Sequence, residues 1–327
     1  MQSNTAPLSF ADISLRKAKV TRIETFLERV DENIDLSFTN QWHAELHPSD
    51  RGRRPFDVDV LFRITLLQQF FGLSDPQAEQ DIHDRSSDQE FRSITADTDI
   101  PDETTICRFR KILVEKGWDK VFFKEVERQL RERGIIVTSG KSVDATISEV
   151  PKGRKREDGS STRDTEASFT KKNNRTFHGY KGHVSTDTNG KYIRKVFTST
   201  AKDHDSIHEN KVLDGNETSV FEDSAYINKE KKKRFRKNDV FYGVVERATR
   251  GHPLSSSQKK RNRKLSSVRC RVEHPFAELK CRMKFALRYR GLRKASWQFT
   301  MVAAAYNLKR FIGQICPAQA QAVVWRG

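Results

Sequence analysis

Three carboxylates in this chain stand where a carboxylate needs a reason. Asp144 interrupts the apolar run Ser142-Val143-Asp144-Ala145-Thr146-Ile147, and Asp223 closes Ser219-Val220-Phe221-Glu222-Asp223. A charge inside an apolar strand is costly unless something compensates it, and a bound cation is one such compensation. The third, Glu273, lies in Val268-Arg269-Cys270-Arg271-Val272-Glu273-His274-Pro275-Phe276. There Val268, Val272, Phe276, Leu279 and Met283 recur at three and four residues, the core stripe of a helix. Arg269, Glu273 and Lys280 follow the same period on the neighbouring face. Carboxylates from separate elements suit magnesium, which takes oxygen ligands. Two such ions about 4 Å apart activate an oxygen nucleophile and relieve charge on the leaving oxygen of a phosphodiester. With 44 Asp and Glu in the chain, spacing alone does not single out this trio. Capping, ion pairing and solvation at sheet ends are the plainer accounts.

Bulk composition narrows the partners. The 327 residues leave room for one large or two ordinary domains. Lys and Arg number 61, so the formal net charge is +17, which points to a polyanion. An anionic membrane surface would attract the same charge. No apolar run is long enough to span a bilayer, and Met1 to Arg16 has no signal-like apolar core. The four cysteines form no C-x-x-C pair, which excludes zinc ribbons and fingers and reads as reduced thiols in a cytosolic protein.

Two regions must position the acids. Up to Gly134 the chain reads as helical. Pro55 opens a helix bearing Leu61, Ile64, Leu67 and Phe71, and Gly72 ends it. Ser74-Asp75-Pro76-Gln77 resembles a capping box, and Asp102 caps a helix from Glu103 to about Lys116. A fourth helix runs from about Asp119 to Arg133. With Arg108 and Arg110 taken as exposed, the pattern suits a helix-turn-helix or an ordinary bundle. After Gly134, Ile135-Ile136-Val137 and Ser142–Ile147 read as strand. Pro151 to Asn174 reads as a charged loop. Phe177–Thr186 and Tyr192–Thr200 form a hairpin around Asn189-Gly190. A short helix from Asp205 to Leu213, strands at Ser219–Asp223 and Val240–Val245, and a basic helix Lys229–Lys237 follow. Helices from about Ser267 to Met283 and Ser296 to Phe311 complete an α/β mixed sheet flanked by helices.

Several of these segments together resemble the insertion-sequence-five group of bacterial DDE transposases. They are the three acid-bearing runs, with Ser224-Ala225-Tyr226 extending the second; Gly72-Leu73-Ser74-Asp75; Pro101 to Arg110; His178-Gly179-Tyr180-Lys181-Gly182-His183-Val184; Arg250-Gly251-His252-Pro253-Leu254; and Tyr289-Arg290-Gly291-Leu292. The resemblance covers about residues 51–310 in order.

It implies a ribonuclease-H-like catalytic domain at 135–315, with a basic loop at about 151–176. Before it comes a helical domain at 1–134 that binds terminal repeats; residues 316–327 form a tail. It implies Asp144, Asp223 and Glu273 as catalytic residues and as ligands of two Mg2+ ions, with Mn2+ able to substitute. The activity implied is cleavage at the ends of the element and transfer of the 3′-hydroxyl into target DNA. A nuclease without strand transfer and a silent DNA-binding repressor are the alternatives. Arg269, Arg271 and Lys280 are expected on phosphates, and Arg51, Arg53, Arg54, Arg108 and Arg110 on the element's ends. The partners implied are double-stranded DNA, as terminal inverted repeats and target, and a second copy of the chain in a synaptic complex. No membrane partner is expected, and the place of action is the bacterial cytoplasm at the nucleoid.

Two departures from the family stand out. Ser266 occupies the place of a tyrosine in related groups. Glu222 replaces the usual small residue before the second Asp, where it either alters ion affinity or faces solvent. Pro275 either kinks the helix of Glu273 or marks its first turn. Asp203-His204-Asp205 reads as the close of a strand and a helix cap, and His178 and His183 as surface or packing residues. The basic runs at 231–234, 259–264 and 288–294 are read as tracking phosphate.

Overall fold

The computed structural model describes residues 22–46, 56–84, 100–136, 140–154, 156–223, 226, 228–248 and 252–315. The helical part contains α1 (Arg22–Asn33), α2 (Val58–Phe71), α3 (Asp75–Asp84), α4 (Glu103–Lys116) and α5 (Trp118–Glu132). The sequence signals that start and stop these helices act as expected. Asp57 caps α2, and Gly72 ends it at φ 58°. This is the left-handed region that glycine enters at no steric cost. Ser74 and Gln77 exchange bonds at 2.9 and 3.4 Å, the reciprocal box ahead of α3. The Asp102 carboxylate accepts the Thr105 N–H at 2.7 Å at the start of α4. The start expected at Pro55 falls instead at Val58 behind Asp57; Pro55 itself lies outside the described residues.

Six strands form one sheet among the described residues: β1 (Lys141–Glu149), β2 (Ser168–Lys172), β3 (Arg175–Asp187), β4 (Ile193–Thr200), β5 (Ser219–Glu222) and β6 (Phe241–Val244). β3 runs antiparallel to both β1 and β4. β5 lies parallel to β1, and β6 parallel to β5, with the basic helix α6 (Lys229–Lys237) between them in the chain. β4, β3 and β1 antiparallel, then β5 and β6 parallel, make the ribonuclease-H-like sheet, to which β2 adds a sixth strand on β3. The β3–β4 turn forms where expected, because the Asp187 carboxylate gathers the backbone N–H groups of Asn189 and Tyr192 at 2.9 and 2.8 Å.

Three expectations are corrected. Residues 135 and 136 are not strand: Ile136 is buried against the helices, and Val137 lies outside the described residues. The charged loop conceals β2, whose register with β3 runs from Ser168 opposite Gly179 to Lys172 opposite Arg175. Asn173 and Asn174, at φ 49° and 61°, close that hairpin, since asparagine tolerates positive φ. The long acid-bearing helix is neither continuous nor bounded as expected. It begins at Ser256 behind a Ser255–Gln258 capping box, giving α7 (Ser256–Arg269). A 3-10 turn (Cys270–Val272) then leads to α8 (Glu273–Ala277) and a π turn (Glu278–Arg282). Pro275 sits in the first turn of α8, where its missing N–H costs nothing.

The final helix, α9 (Leu292–Ile315), is buried on almost every side from Trp297 to Leu308. It packs against α5 and α2 on one side and β4 and β3 on the other. Gly182 on β3 lets it come close: a Cβ there would lie 2.4 Å from the Phe299 ring. Asn307 of α9 satisfies both the N–H and the carbonyl of Ile193, at 2.9 and 2.8 Å. One apolar cluster therefore runs from Phe26 through Trp118 to Val184 and Leu308, so the core is continuous across residue 134. Among the described residues, no helix is long and apolar enough to cross a membrane.

Candidate active site

Asp144 sits midway along β1, opposite Val184 on β3, and accepts the Ala145 N–H at 2.8 Å. Burial pushes its carboxyl up to about 6; the charge of Asp205 adds to the rise, while the Ala145 N–H and the charges of Arg269 and Lys172 oppose it. The strand thus holds an acid that lacks full compensation for its charge.

Asp223 follows β5 directly. The parallel ladder pairs Lys141 with Val220 and Ser142 with Phe221. The ladder stops at Phe221; continued for two more residues, the same register would set Asp223 level with Asp144, with both side chains on one face. Adjacent strands lie about 4.8 Å apart. The Asp223 side chain is 43% exposed, with Arg247 at 3.9 Å.

Glu273 opens α8, and its side chain, 55% exposed, is 3.2 Å from Arg269 one turn earlier. Of the stripe predicted for this segment, Val272, Leu279 and Met283 are buried in the main core and Phe276 packs against it, whereas Val268 is half-buried outside it. The turn Cys270–Val272 packs on β1, so Arg269 reaches both Glu273 and the field of Asp144. Arg269 and Glu273 are brought together as the spacing predicted, whereas Lys280 turns to β1 and donates to the Ile147 carbonyl at 3.2 Å. Arg271 donates to the Thr188 carbonyl after β3.

The N-terminal arginines divide. Arg108 is exposed on α4. Arg110 is not: it is buried, holds both Asp75 oxygens at 2.5 and 2.6 Å, and lies 4.1 Å over the Tyr289 ring. Its position on the inner stripe with Ile106, Phe109 and Leu113 turns it into a bolt between α3, α4 and the catalytic region, so the expectation of DNA contact is withdrawn for it. Arg51, Arg53 and Arg54 lie outside the described residues.

Glu222 does not face solvent. It is fully buried on the opposite side of β5 from Asp223, bonded to Lys231 and, at 3.2 Å, to the Tyr242 hydroxyl. Lys231 also bonds Glu209. Asp203 pairs with His208 at 3.2 Å, and Asp205 with Lys181 at 2.9 Å. His183 is buried, with Nε2 2.8 Å from Ser199 Oγ, and burial pushes it down to about 4. Sequence reasoning missed Asp205, Lys172 and Arg247 as neighbours of the acids. Only Asp205, two residues from Asp203 in a short polar run, carried any local signal.

The donor set suits a hard cation, since it consists of carboxylates on a polar, open face. Among the described residues, no three His, Cys, Asp or Glu side chains are gathered closely enough to hold an ion. Arginines lie beside the two more exposed acids, 3.2 Å from Glu273 and 3.9 Å from Asp223. These are positions where positive charge is wanted.

A ribonuclease-H-like sheet with carboxylates on β1, after β5 and on a helix crossing β1 defines a class of nucleic-acid-processing enzymes. The family models name the member. Residues 137–308 match the transposase DDE domain, and residues 15–112 match the transposase domain known as DUF772. The chain belongs to the DDE transposases. A cryo-EM structure of the piggyBac transposase synaptic complex with hairpin DNA is similar at a TM-score of 0.48 and 10% identity, covering 92% of this chain and 77% of that one.

Proposed function

We propose that this transposase cuts DNA at the ends of its own element and joins the freed 3′-hydroxyl to target DNA, as the insertion-sequence-five group does. Water attacks the phosphodiester at the element's end: one P–O bond forms, one breaks, and a 3′-hydroxyl is released. That hydroxyl attacks a target phosphodiester in the same way. Asp144 and Asp223 are the residues to share one Mg2+, and Glu273 helps to hold a second. When bound, such a pair of ions lowers the pKa of the attacking oxygen and takes up charge at the leaving oxygen. Arg269 steadies the phosphate between the acids, and Arg271 and Lys280 add positive charge along β1. Arg108 and the basic run 51–54 serve end recognition. The partners are the terminal inverted repeats, target DNA and a second copy of the chain.

What supports this reading is the β1–β5 register: continued two residues past its last pair, it would set Asp223 level with Asp144, on strands that α7 and the turn before Glu273 pack against. The test is the Asp144→Ala variant with a duplex of the element's end. Cleavage in Mg2+ should vanish while DNA binding persists; retained cleavage refutes the assignment. A pre-cut end bearing a 3′-hydroxyl separates joining from mere cutting, since a nuclease leaves it uninserted.

A further inference from the structure

Beyond Gly179, β3 leaves the main sheet. Its pairing with β1 stops at Glu149 opposite Gly179, and its pairing with β4 at Thr200 opposite Tyr180. Among the described residues its only strand partner from Arg175 to His178 is β2, so a two-stranded ribbon projects from the sheet. Its tip reads Lys171-Lys172-Asn173-Asn174-Arg175, and all five residues are exposed. The ribbon also carries Phe169, 55% exposed, the second most exposed of the large apolar side chains described. Phe169 stacks on His178 across the ribbon, ring centres 4.4 Å apart, with the Arg163 guanidinium 5.7 Å from its ring.

The ribbon's place matters as much as its composition. Val184 lies opposite Asp144, and alternation along β3 keeps residues 182, 180 and 178 on that face. Phe169 is opposite His178, and Lys171 follows two residues on, so both continue the face of Asp144, while Lys172 and Arg175, paired with each other at the tip, turn to the other side of the ribbon. The charge of Lys172 is felt at both Asp144 and Lys280. Such an exposed aromatic and the three cations of the tip have little to do for folding. Arg175 does pair with Glu149 at 3.0 Å, but both are largely exposed, and such pairs contribute little. A β-ribbon has the width to lie along a DNA groove. Aromatic faces stack on bases of any sequence.

We propose that the β2–β3 ribbon is a DNA-contacting arm: Lys171, Lys172 and Arg175 hold phosphates flanking the bond to be cut, and Phe169 packs on a base exposed there. The assignment of the bond rests on the reading of Asp144 as part of the cutting site; the contact itself does not. DNA whose scissile phosphate lies at Asp144 runs out along the same face and meets the ribbon next. The partner is recognised by charge and stacking, so the arm is indifferent to base sequence.

The test uses the full chain and a duplex of the element's end. A photo-crosslinking phenylalanine analogue replaces Phe169 in an Asp144→Ala background. A second protein carries the analogue at Phe241, which is equally exposed at 52% but on β6 at the far edge of the sheet. Crosslinks from position 169 should fall within a few nucleotides of the cut, with none from position 241. The Lys171→Gln, Lys172→Gln, Arg175→Gln triple variant should bind at least tenfold more weakly. Its plot of log affinity against log salt should be shallower by about 2 to 3, since each phosphate contact contributes about 0.9. No crosslink from position 169, a crosslink distant from the cut, or an unchanged salt slope overturns the arm. Cleavage surviving in Asp144→Ala would instead overturn the site assignment, while the salt slope and the crosslink would still decide whether the ribbon touches DNA.

Discussion

The Arg269 guanidinium lies 3.2 Å from a carboxylate oxygen of Glu273, and its charge also opposes the upward shift of Asp144. One cation therefore serves two acids on different elements. Its replacement has two opposed consequences. Arg269→Gln leaves the acids with more negative charge between them, which favours a divalent ion. It also removes the group proposed to steady the phosphate. The expected result is that half-saturating Mg2+ falls while the maximal cleavage rate drops roughly tenfold, about 1.4 kcal/mol of transition-state stabilisation. A Mg2+ titration of cleavage, paired with lanthanide luminescence on the protein alone, reads both. Unchanged metal affinity would show that Arg269 does not face the ions.

Arg110 makes the opposite case, of a cation that belongs to the fold. It holds both oxygens of Asp75 and stacks over Tyr289, which joins α3, α4 and the segment before α9. Arg110→Ala strands a largely buried carboxylate, a loss of about 3 kcal/mol or more. Chemical unfolding measures it. Asp75→Asn in the same chain should restore part of the loss, because no charge is then left unpaired. DNA affinity of the folded fraction should stay within about twofold, below about 0.5 kcal/mol. A larger drop, with salt dependence altered, would return Arg110 to the DNA contacts.

Arg108 and Arg110 show where the sequence was legible and where it was not. Caps and apolar periods are local signals, so Gly72, Asp102 and the Ser74–Gln77 box marked their helices correctly. Whether an arginine faces water depends on a partner 35 residues away, which no local pattern reports. The same limit hid β2, whose residues Lys171 and Lys172 look like loop until β3 pairs with them. It also hid the burial of Glu222, which depends on Lys231 and Tyr242. The acid-bearing runs were legible because a charge in an apolar strand is a local contradiction. The β1–β5 pairing on which their proposed grouping rests joins residues far apart in sequence, which no local pattern reports.

Glu222 gives a further prediction. Glu209 and Glu222 share Lys231 in a buried cluster closed by Tyr242, and burial pushes the Glu222 carboxyl up to about 8, with the charge of Glu209 adding to the rise. Above about pH 8, where Glu222 is ionised, Lys231→Met leaves two carboxylates without their cation and should cost about 3–5 kcal/mol, or prevent folding. Lys231→Met with Glu209→Gln and Glu222→Gln should recover most of that loss, since neutral amides tolerate burial better than unpaired charge. Thermal unfolding of the two proteins compares them. If the triple variant is no more stable than the single one, the lysine acts through packing of its stem and not through charge.

Asp119, at the start of α5, offers a pH test well away from DNA. Burial raises its carboxyl from 3.8 to about 6, against the lowering effects of Lys120, nearby backbone N–H groups and Thr300. The folded state therefore holds the proton more tightly than the unfolded chain. Between about pH 4 and pH 6 the native protein binds more protons, so stability falls as pH rises through that window. Above it, the ionised group costs about 1–3 kcal/mol relative to a neutral one. Asp119→Asn removes that cost but also gives up an acid in the first turn of a helix, worth about 0.3–1 kcal/mol. Burial should win, so the variant is expected to be the more stable at about pH 7.5 and to lose its advantage towards about pH 4. Urea unfolding of both proteins at the two pH values decides it. A stability difference that does not change with pH would mean that water reaches the carboxylate and that α5 is not sealed against Thr300 of α9.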